Sequence, residues 1–318
     1  MTRNTGLTHI ARGEDGISTA IWGGYVLKSA FQPIFGFENG RLPIAAFEAL
    51  IRPFRDERPM SPGQFFRLIP AQDRFAVETL TRTLHLLNAG ACLGEGATLF
   101  VNFDPSQFCD RALADTALRD MRLILHEAGL DPSRVVCEMT EQLSSSEPTL
   151  FAFVDALRAQ GFRIAVDDYG ADHSDIRRIE QLKPDIVKFD AQWINQLMES
   201  GAGFALLKTM VQTFNDKGFR TVFEGIEEDW QLELAEEAGV SMVQGYLLAR
   251  PQLAPTEFKI FTQSRGGLEQ PEPVPAANSK VLPLSVAQPH ALAARAAVQS
   301  APASSTRTRS FGRRQVMP

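Results

Sequence analysis

The chain has 318 residues, 44% hydrophobic and 22% charged, an ordinary composition for a soluble globular protein. Cys92, Cys109 and Cys137 lie far apart, with no CxxC or Cys/His spacing, which excludes a disulfide framework or structural zinc site and predicts a reducing, cytoplasmic setting. No apolar run reaches 18 residues, so no transmembrane segment is expected, and the N-terminus lacks the apolar core of a signal peptide. The net charge of −6 is uneven: beyond residue 262 there are seven Lys/Arg against two Glu, which leaves the preceding part at −11. So acidic a body argues against binding of long nucleic acid, which needs a basic surface, and suits carboxylates that hold divalent cations.

In chain order, residues 1–25 are polar and Gly-containing and read as a loosely ordered N-terminal extension. A domain is predicted over 26–262. It opens with apolar strand segments at 31–35 and 44–51, joined by Phe37-Glu38-Asn39-Gly40-Arg41-Leu42-Pro43, whose Asn-Gly pair suits an antiparallel hairpin. Leu80, Leu84 and Leu87 follow with i, i+4, i+7 spacing, the stripe of an amphipathic helix. Further strands are predicted at 98–103 and 134–139, then a helix carrying Leu150, Val154 and Leu157. Strands at 163–167 and 185–189 precede a helix with Leu207, Met210, Val211 and Phe214 on one face. The last strands are 221–224 and 242–247, and Gly161, Gly218 and Gly239 stand where helices should end. From 263 onward the Ala/Pro/Ser/Arg-rich composition cannot bury enough surface to offset chain entropy, which predicts a disordered basic tail.

Alternating strands and helices imply a parallel sheet, and the opening hairpin reverses one strand. The expected fold is an α/β (β/α)8 barrel of the TIM type with one reversed strand. No phosphate-binding glycine motif of open sheets follows any strand.

Carboxylates recur at the C-terminal ends of these strands: Glu48, Glu138, Asp167 with Asp168, and Glu224. Asn102, Lys188 and Gln244 occupy equivalent ends. Singly, each has a bland reading: Asp-Asp-Tyr-Gly is often a turn, and a strand-end lysine usually reaches for solvent. Together, in a barrel, they meet on the rim where active sites are built. Carboxylates so gathered repel one another unless cations neutralise them. Oxygen-only ligands point to Mg²⁺ or Mn²⁺, and a two-metal site is the standard device for phosphodiester hydrolysis.

Phe47-Glu48-Ala49-Leu50-Ile51-Arg52 resembles the signature that names EAL domains. The resemblance runs from Gln32-Pro33-Ile34 through Val101-Asn102-Phe103, Glu138-Met139-Thr140-Glu141, Asp167-Asp168-Tyr169-Gly170, Lys188-Phe189-Asp190 and Glu224-Gly225-Ile226-Glu227 to Gln244-Gly245-Tyr246-Leu247. It implies hydrolysis of cyclic di-GMP to linear pGpG. It implies metal ligation by Glu48, Asn102, Glu138, Asp167 and Asp168, and catalytic roles for Lys188, Glu224 and Gln244. Gln32 and Arg52 become substrate contacts, Glu141 anchors the loop after Asp168, and a homodimer is expected. Two departures stand out: Ala171-Asp172-His173 replaces the usual Gly-Tyr loop, and the stretch after Arg52 is short and unusual, which alters the substrate-side wall. The alternative implied by that loop is a catalytically impaired receptor that binds cyclic di-GMP and acts through a protein partner.

Overall fold

The N-terminal segment is not loose. Ile10–Arg12 (β1) and Ser18–Trp22 (β2) are antiparallel strands, and β2 pairs in turn with Tyr25–Gly36 (β3). The expectation of a loosely ordered extension over 1–25 is therefore corrected from residue 10 onward. Its polar composition hid a segment held by backbone hydrogen bonds, which side-chain patterning does not report. The computed structural model describes residues 9–94, 96–104, 111–140, 147–171 and 176–258. The basic tail from 263, Glu141, Asp172 and His173 lie outside the described residues.

Ile44–Arg55 (β4) folds back on β3 through a two-residue turn, Asn39 and Gly40, both at positive φ, the conformation a tight hairpin requires. Arg58–Pro59 (β5) folds back antiparallel on the end of β4. Pro62–Leu68 (α1) starts at Ser61, whose hydroxyl accepts from the Gln64 amide, and Arg74–Cys92 (α2) follows. The chain then alternates: Leu99–Phe103 (β6), Arg111–Ala128 (α3), Val135–Thr140 (β7), Glu147–Ala159 (α4), Arg163–Tyr169 (β8), Ile176–Leu182 (α5) and Ile186–Phe189 (β9). Ala191–Met198 (α6), Gly201–Asp216 (α7), Arg220–Phe223 (β10), Asp229–Ala238 (α8), Met242–Val243 (β11) and Gln252–Leu253 (β12) complete it.

Strands β4 and β6 to β11 run parallel, each beside the next, and β3 is antiparallel to both β4 and β11. The result is a closed eight-stranded barrel with one reversed strand. Its interior is filled by one apolar residue per strand: Ile34, Ala46, Phe100, Val136, Ala165, Ile186, Val222 and Met242. The outer strand faces bury a larger core against the helices. Within it Phe189 meets Tyr169, Phe223 and Phe214 at ring-centroid distances of 5.5, 5.2 and 5.8 Å. Each such ring contributes about 2–3 kcal/mol by burial, and the cluster clamps β8, β9 and β10 from behind.

β3 and β4 are longer than their apolar patterns suggest, at 12 residues each. Beyond the barrel mouth they carry a second small core, Tyr25, Leu27, Ile51, Phe65, Val77, Leu80 and Leu84, which seats α1 and α2 on the rim. Among the described residues no helix is long and apolar enough to cross a membrane.

Candidate active site

Strand alternation builds the site. Successive side chains point to opposite faces, so the residue two positions beyond each barrel-filling residue also points inward. Those positions are Glu48, Asn102, Glu138, Asp167, Lys188, Glu224 and Gln244 on the parallel strands or just past their ends. On reversed β3 the same rule read backwards from Ile34 gives Gln32, which lies opposite Glu48 in the hairpin register. One polar layer thus sits directly above one apolar layer.

Lys188 is its centre. Its side chain is 1% exposed, and Nζ lies 2.6 Å from Glu138 Oε1, 2.6 Å from Glu224 Oε1, 3.0 Å from Asp167 Oδ1 and 3.9 Å from Glu48 Oε2. Burial alone would lower its pKa, but the four carboxylates more than offset this and raise it well above the usual lysine value. Glu138, fully buried, is pushed well up, first by burial and next by its acidic neighbours Glu48 and Asp167, with Lys188 opposing. Burial likewise raises Glu224 to about 8. Gln244 Nε2 donates to Glu48 Oε2 at 2.8 Å and tethers it across β3 to the end of β11.

Asp168 reaches this cluster by a backbone irregularity. Adjacent strand residues normally face apart, but the β8–β9 register shifts after Val166, and Asp168 has φ +56°. Its carboxylate thereby converges with those of Asp167 and Glu224, with ligand atoms all within 4.8 Å of one another. Burial and then the charge of Asp167 raise its pKa to about 6.

These residues fit divalent cations. The donors are all oxygen, and Glu138 Oε2 and Gln244 Oε1 are buried without a hydrogen-bond partner. Buried oxygens in that condition are expensive unless a cation or donor meets them. Asp167, Asp168 and Glu224 form one candidate ligand group, and Glu48 and Glu138 face the same lysine. Asn102 neighbours Glu138 in the β6–β7 register, with its side chain open to solvent.

Of the substrate-side residues, Gln32 shares the layer of Glu48 and Arg52 lies further out along β4. Gln32 Nε2 donates to the Ala249 carbonyl at 3.2 Å. Arg52, four residues past Glu48, donates to the Ile51 carbonyl, and burial lowers its pKa against the opposing charges of Tyr246 and Glu48. The loop anchor Glu141 and the unusual Asp172 and His173 fall outside the described residues. Glu78, Arg82 and His85 of α2, which the sequence did not single out, line a cavity beside the rim. They share the i, i+4, i+7 spacing of the leucine stripe, which was the available signal.

The EAL domain family profile matches residues 17–251. The chain is 28% identical over 210 residues to the probable cyclic di-GMP phosphodiesterase PdeA of Escherichia coli, covering 64% of this chain and 28% of that protein. It is 33% identical over 162 residues to the cyclic di-GMP phosphodiesterase RocR of Pseudomonas aeruginosa, covering 51% and 40%. The chain therefore spans well under half the length of these curated relatives. The solved structure of Klebsiella pneumoniae BlrP1 with manganese and cyclic di-GMP superposes with a TM-score of 0.64 at 28% identity, over 71% of this chain and 56% of that one.

Proposed function

The chain belongs to the EAL domain family, and from that premise we propose that it hydrolyses cyclic di-GMP to linear pGpG with the help of divalent metal ions. The observation that carries the reading is the buried Lys188 at the meeting point of Glu48, Glu138, Asp167 and Glu224 on the C-terminal rim. The manganese and cyclic di-GMP bound by BlrP1 support it.

Glu48, Asn102, Glu138, Asp167 and Asp168 would hold Mg²⁺ or Mn²⁺, with Glu224 close enough to share in it. Bound cations would supply Lewis acidity and neutralise phosphate charge. The protein's own groups do the rest. Lys188 orients the attacking water and offsets negative charge that grows on the phosphoryl oxygens. Glu224, beside Lys188 and Asp167, is placed to accept the water proton. The water oxygen bonds to phosphorus, the bond from phosphorus to the 3′ oxygen breaks, and that oxygen takes up a proton from solvent while Glu224 returns its own to solvent. Gln244 holds Glu48 in place. Gln32 and Arg52 bind the substrate, Arg52 through its planar fork to a phosphate.

The test is chromatography of nucleotides after incubation with cyclic di-GMP and Mg²⁺ or Mn²⁺, beside Glu48→Ala. pGpG from the parent protein alone is the expected result. Intact cyclic di-GMP, or parent-like turnover by Glu48→Ala, would overturn the assignment.

A further inference from the structure

The turn that ends β8 is backed by one side chain of α6. Asp168 sits at φ +56° and Gly170 at φ +101°. An aspartate at such a φ is strained and keeps it only where neighbours impose it. Two backbone hydrogen bonds frame the turn: the Ala171 amide donates to the Asp168 carbonyl at 3.1 Å, and the Asp190 amide to the Tyr169 carbonyl at 3.0 Å. A further restraint is Trp193. A Cβ on Gly170 would collide with Cγ, Cδ2 and Cε3 of its indole, so the glycine backbone lies against the ring. The buried ring of Tyr169 meets the same indole edge to face, with 5.9 Å between centroids. Trp193 thus touches both residues that follow Asp168.

Trp193 is itself fixed. Its ring stacks on Phe189 at 6.0 Å between centroids. Asp190 caps α6, its Oδ1 accepting from the Trp193 amide at 2.9 Å. The chain after β9 therefore sends Lys188 into the site and then returns an indole against the end of the neighbouring strand β8. Strand alternation does not bring Asp168 to the cluster. Its carboxylate groups with those of Asp167 and Glu224 because this turn re-aims it. An ordinary core ring packs on side chains. Trp193 also presses on the backbone of a positive-φ glycine, where no side chain could stand.

We propose that Trp193 is a positioning residue for Asp168: by backing Gly170 and Tyr169 it holds the turn that aims the Asp168 carboxylate at the group with Asp167 and Glu224, and so sets the affinity for a divalent cation. This rests on the metal-site reading above. Groups that orient a metal ligand typically govern affinity by about 10- to 100-fold. The requirement is a flat ring under the glycine, so Phe serves in place of Trp193 and a branched aliphatic side chain does not.

The test is calorimetric titration with Mn²⁺, without nucleotide, of the parent protein, Trp193→Phe, Trp193→Leu, Asp168→Ala and the double variant Asp168→Ala/Trp193→Leu. Trp193→Leu is expected to weaken about tenfold or more the same Mn²⁺ binding that Asp168→Ala weakens, and Trp193→Phe to stay within about threefold of the parent. In the Asp168→Ala background, Trp193→Leu should change Mn²⁺ affinity by less than about twofold, because the carboxylate it places is gone. A ring that acts only through general packing would weaken affinity equally in both backgrounds. In turnover of cyclic di-GMP, Trp193→Leu should need about tenfold more Mn²⁺ for half-maximal rate, with KM at saturating Mn²⁺ within about threefold of the parent. Where Trp193→Leu does not fold, Trp193→Met, also without a flat ring, takes its place in both backgrounds. Parent-like Mn²⁺ affinity in Trp193→Leu or in Asp168→Ala overturns the proposal, as does an equal loss with and without Asp168. If the parent protein binds Mn²⁺ but leaves cyclic di-GMP intact, the phosphodiesterase reading fails separately and the titrations still decide. If it binds no Mn²⁺, the metal-site reading fails and the role of Trp193 falls with it.

Discussion

Replacing Lys188 by Met would remove the internal cation from a buried carboxylate cluster while keeping most of the side-chain volume. Lys188 makes two contacts of 2.6 Å and one of 3.0 Å to carboxylates. Removing one member of such a buried constellation costs about 3–5 kcal/mol, because the remaining charges are left uncompensated. For a domain of this size each kcal/mol shifts the melting temperature by roughly 2–4 °C, so a drop of about 6–20 °C is expected in EDTA. Metal ions should reverse much of it, since they take over the neutralising role. One ion at about 100 times its dissociation constant adds about 2.7 kcal/mol. The assay is thermal melting of both proteins in EDTA and in saturating Mg²⁺ or Mn²⁺. Turnover, in contrast, should remain about 100- to 1,000-fold down even with metal, as for other losses of a preorganised charge. Equal melting deficits with and without metal would refute the reasoning, as would a variant as stable as the parent in EDTA.

Glu78 supplies a pH prediction. Its folded pKa is raised from 4.5 to about 7, chiefly by burial. The unfolded chain thus loses this proton at lower pH than the folded one, and the fold loses stability as pH climbs from about 4.5 through 7. The conversion gives about 3 kcal/mol by pH 8. Glu78→Gln should therefore melt higher than the parent at pH 8 and alike at pH 4, and identical curves at pH 8 would contradict the burial argument. Gly245 follows the site residue Gln244, and a Cβ there would stand 2.0 Å from the Ile226 carbonyl oxygen. Gly245→Ala should cost about 1–3 kcal/mol by forcing these backbones apart. It should also slow turnover by displacing Gln244 from Glu48, and both effects are readable by denaturant titration and kinetics. Asp168→Ala should weaken metal dependence of the melting temperature with little loss of stability in EDTA, since it is the most exposed of the three grouped carboxylates; a large loss in EDTA would make it a structural residue instead.

Much of the barrel could be read from local pattern. Short apolar runs ending in Glu48, Glu138, Asp167 and Glu224 mark strands that bury their lengths and offer their tips, and Asn39-Gly40 marks the turn that reverses β3. The pairing of β1 with β2 escaped notice because it is made by backbone groups that every residue carries. The polar stripe of α2 escaped because Leu80 and Leu84 account for the helix by themselves, while Glu78 and Arg82 on another face look like solvated charges.

The sequence by itself determined which side chains share the inward face, because a period of two residues along each strand is a local property. Only the tertiary structure decided which of them touch. Closure of the barrel brings Glu48 to Gln244, 196 positions apart in the chain, and sets Lys188 among four carboxylates from four other strands or strand ends. The same is true of Asp168. Strand periodicity alone would turn it away from Asp167, and it joins the site because the shifted register of β8 against β9 holds it at positive φ, a conformation stabilised by neighbours rather than by the residue itself.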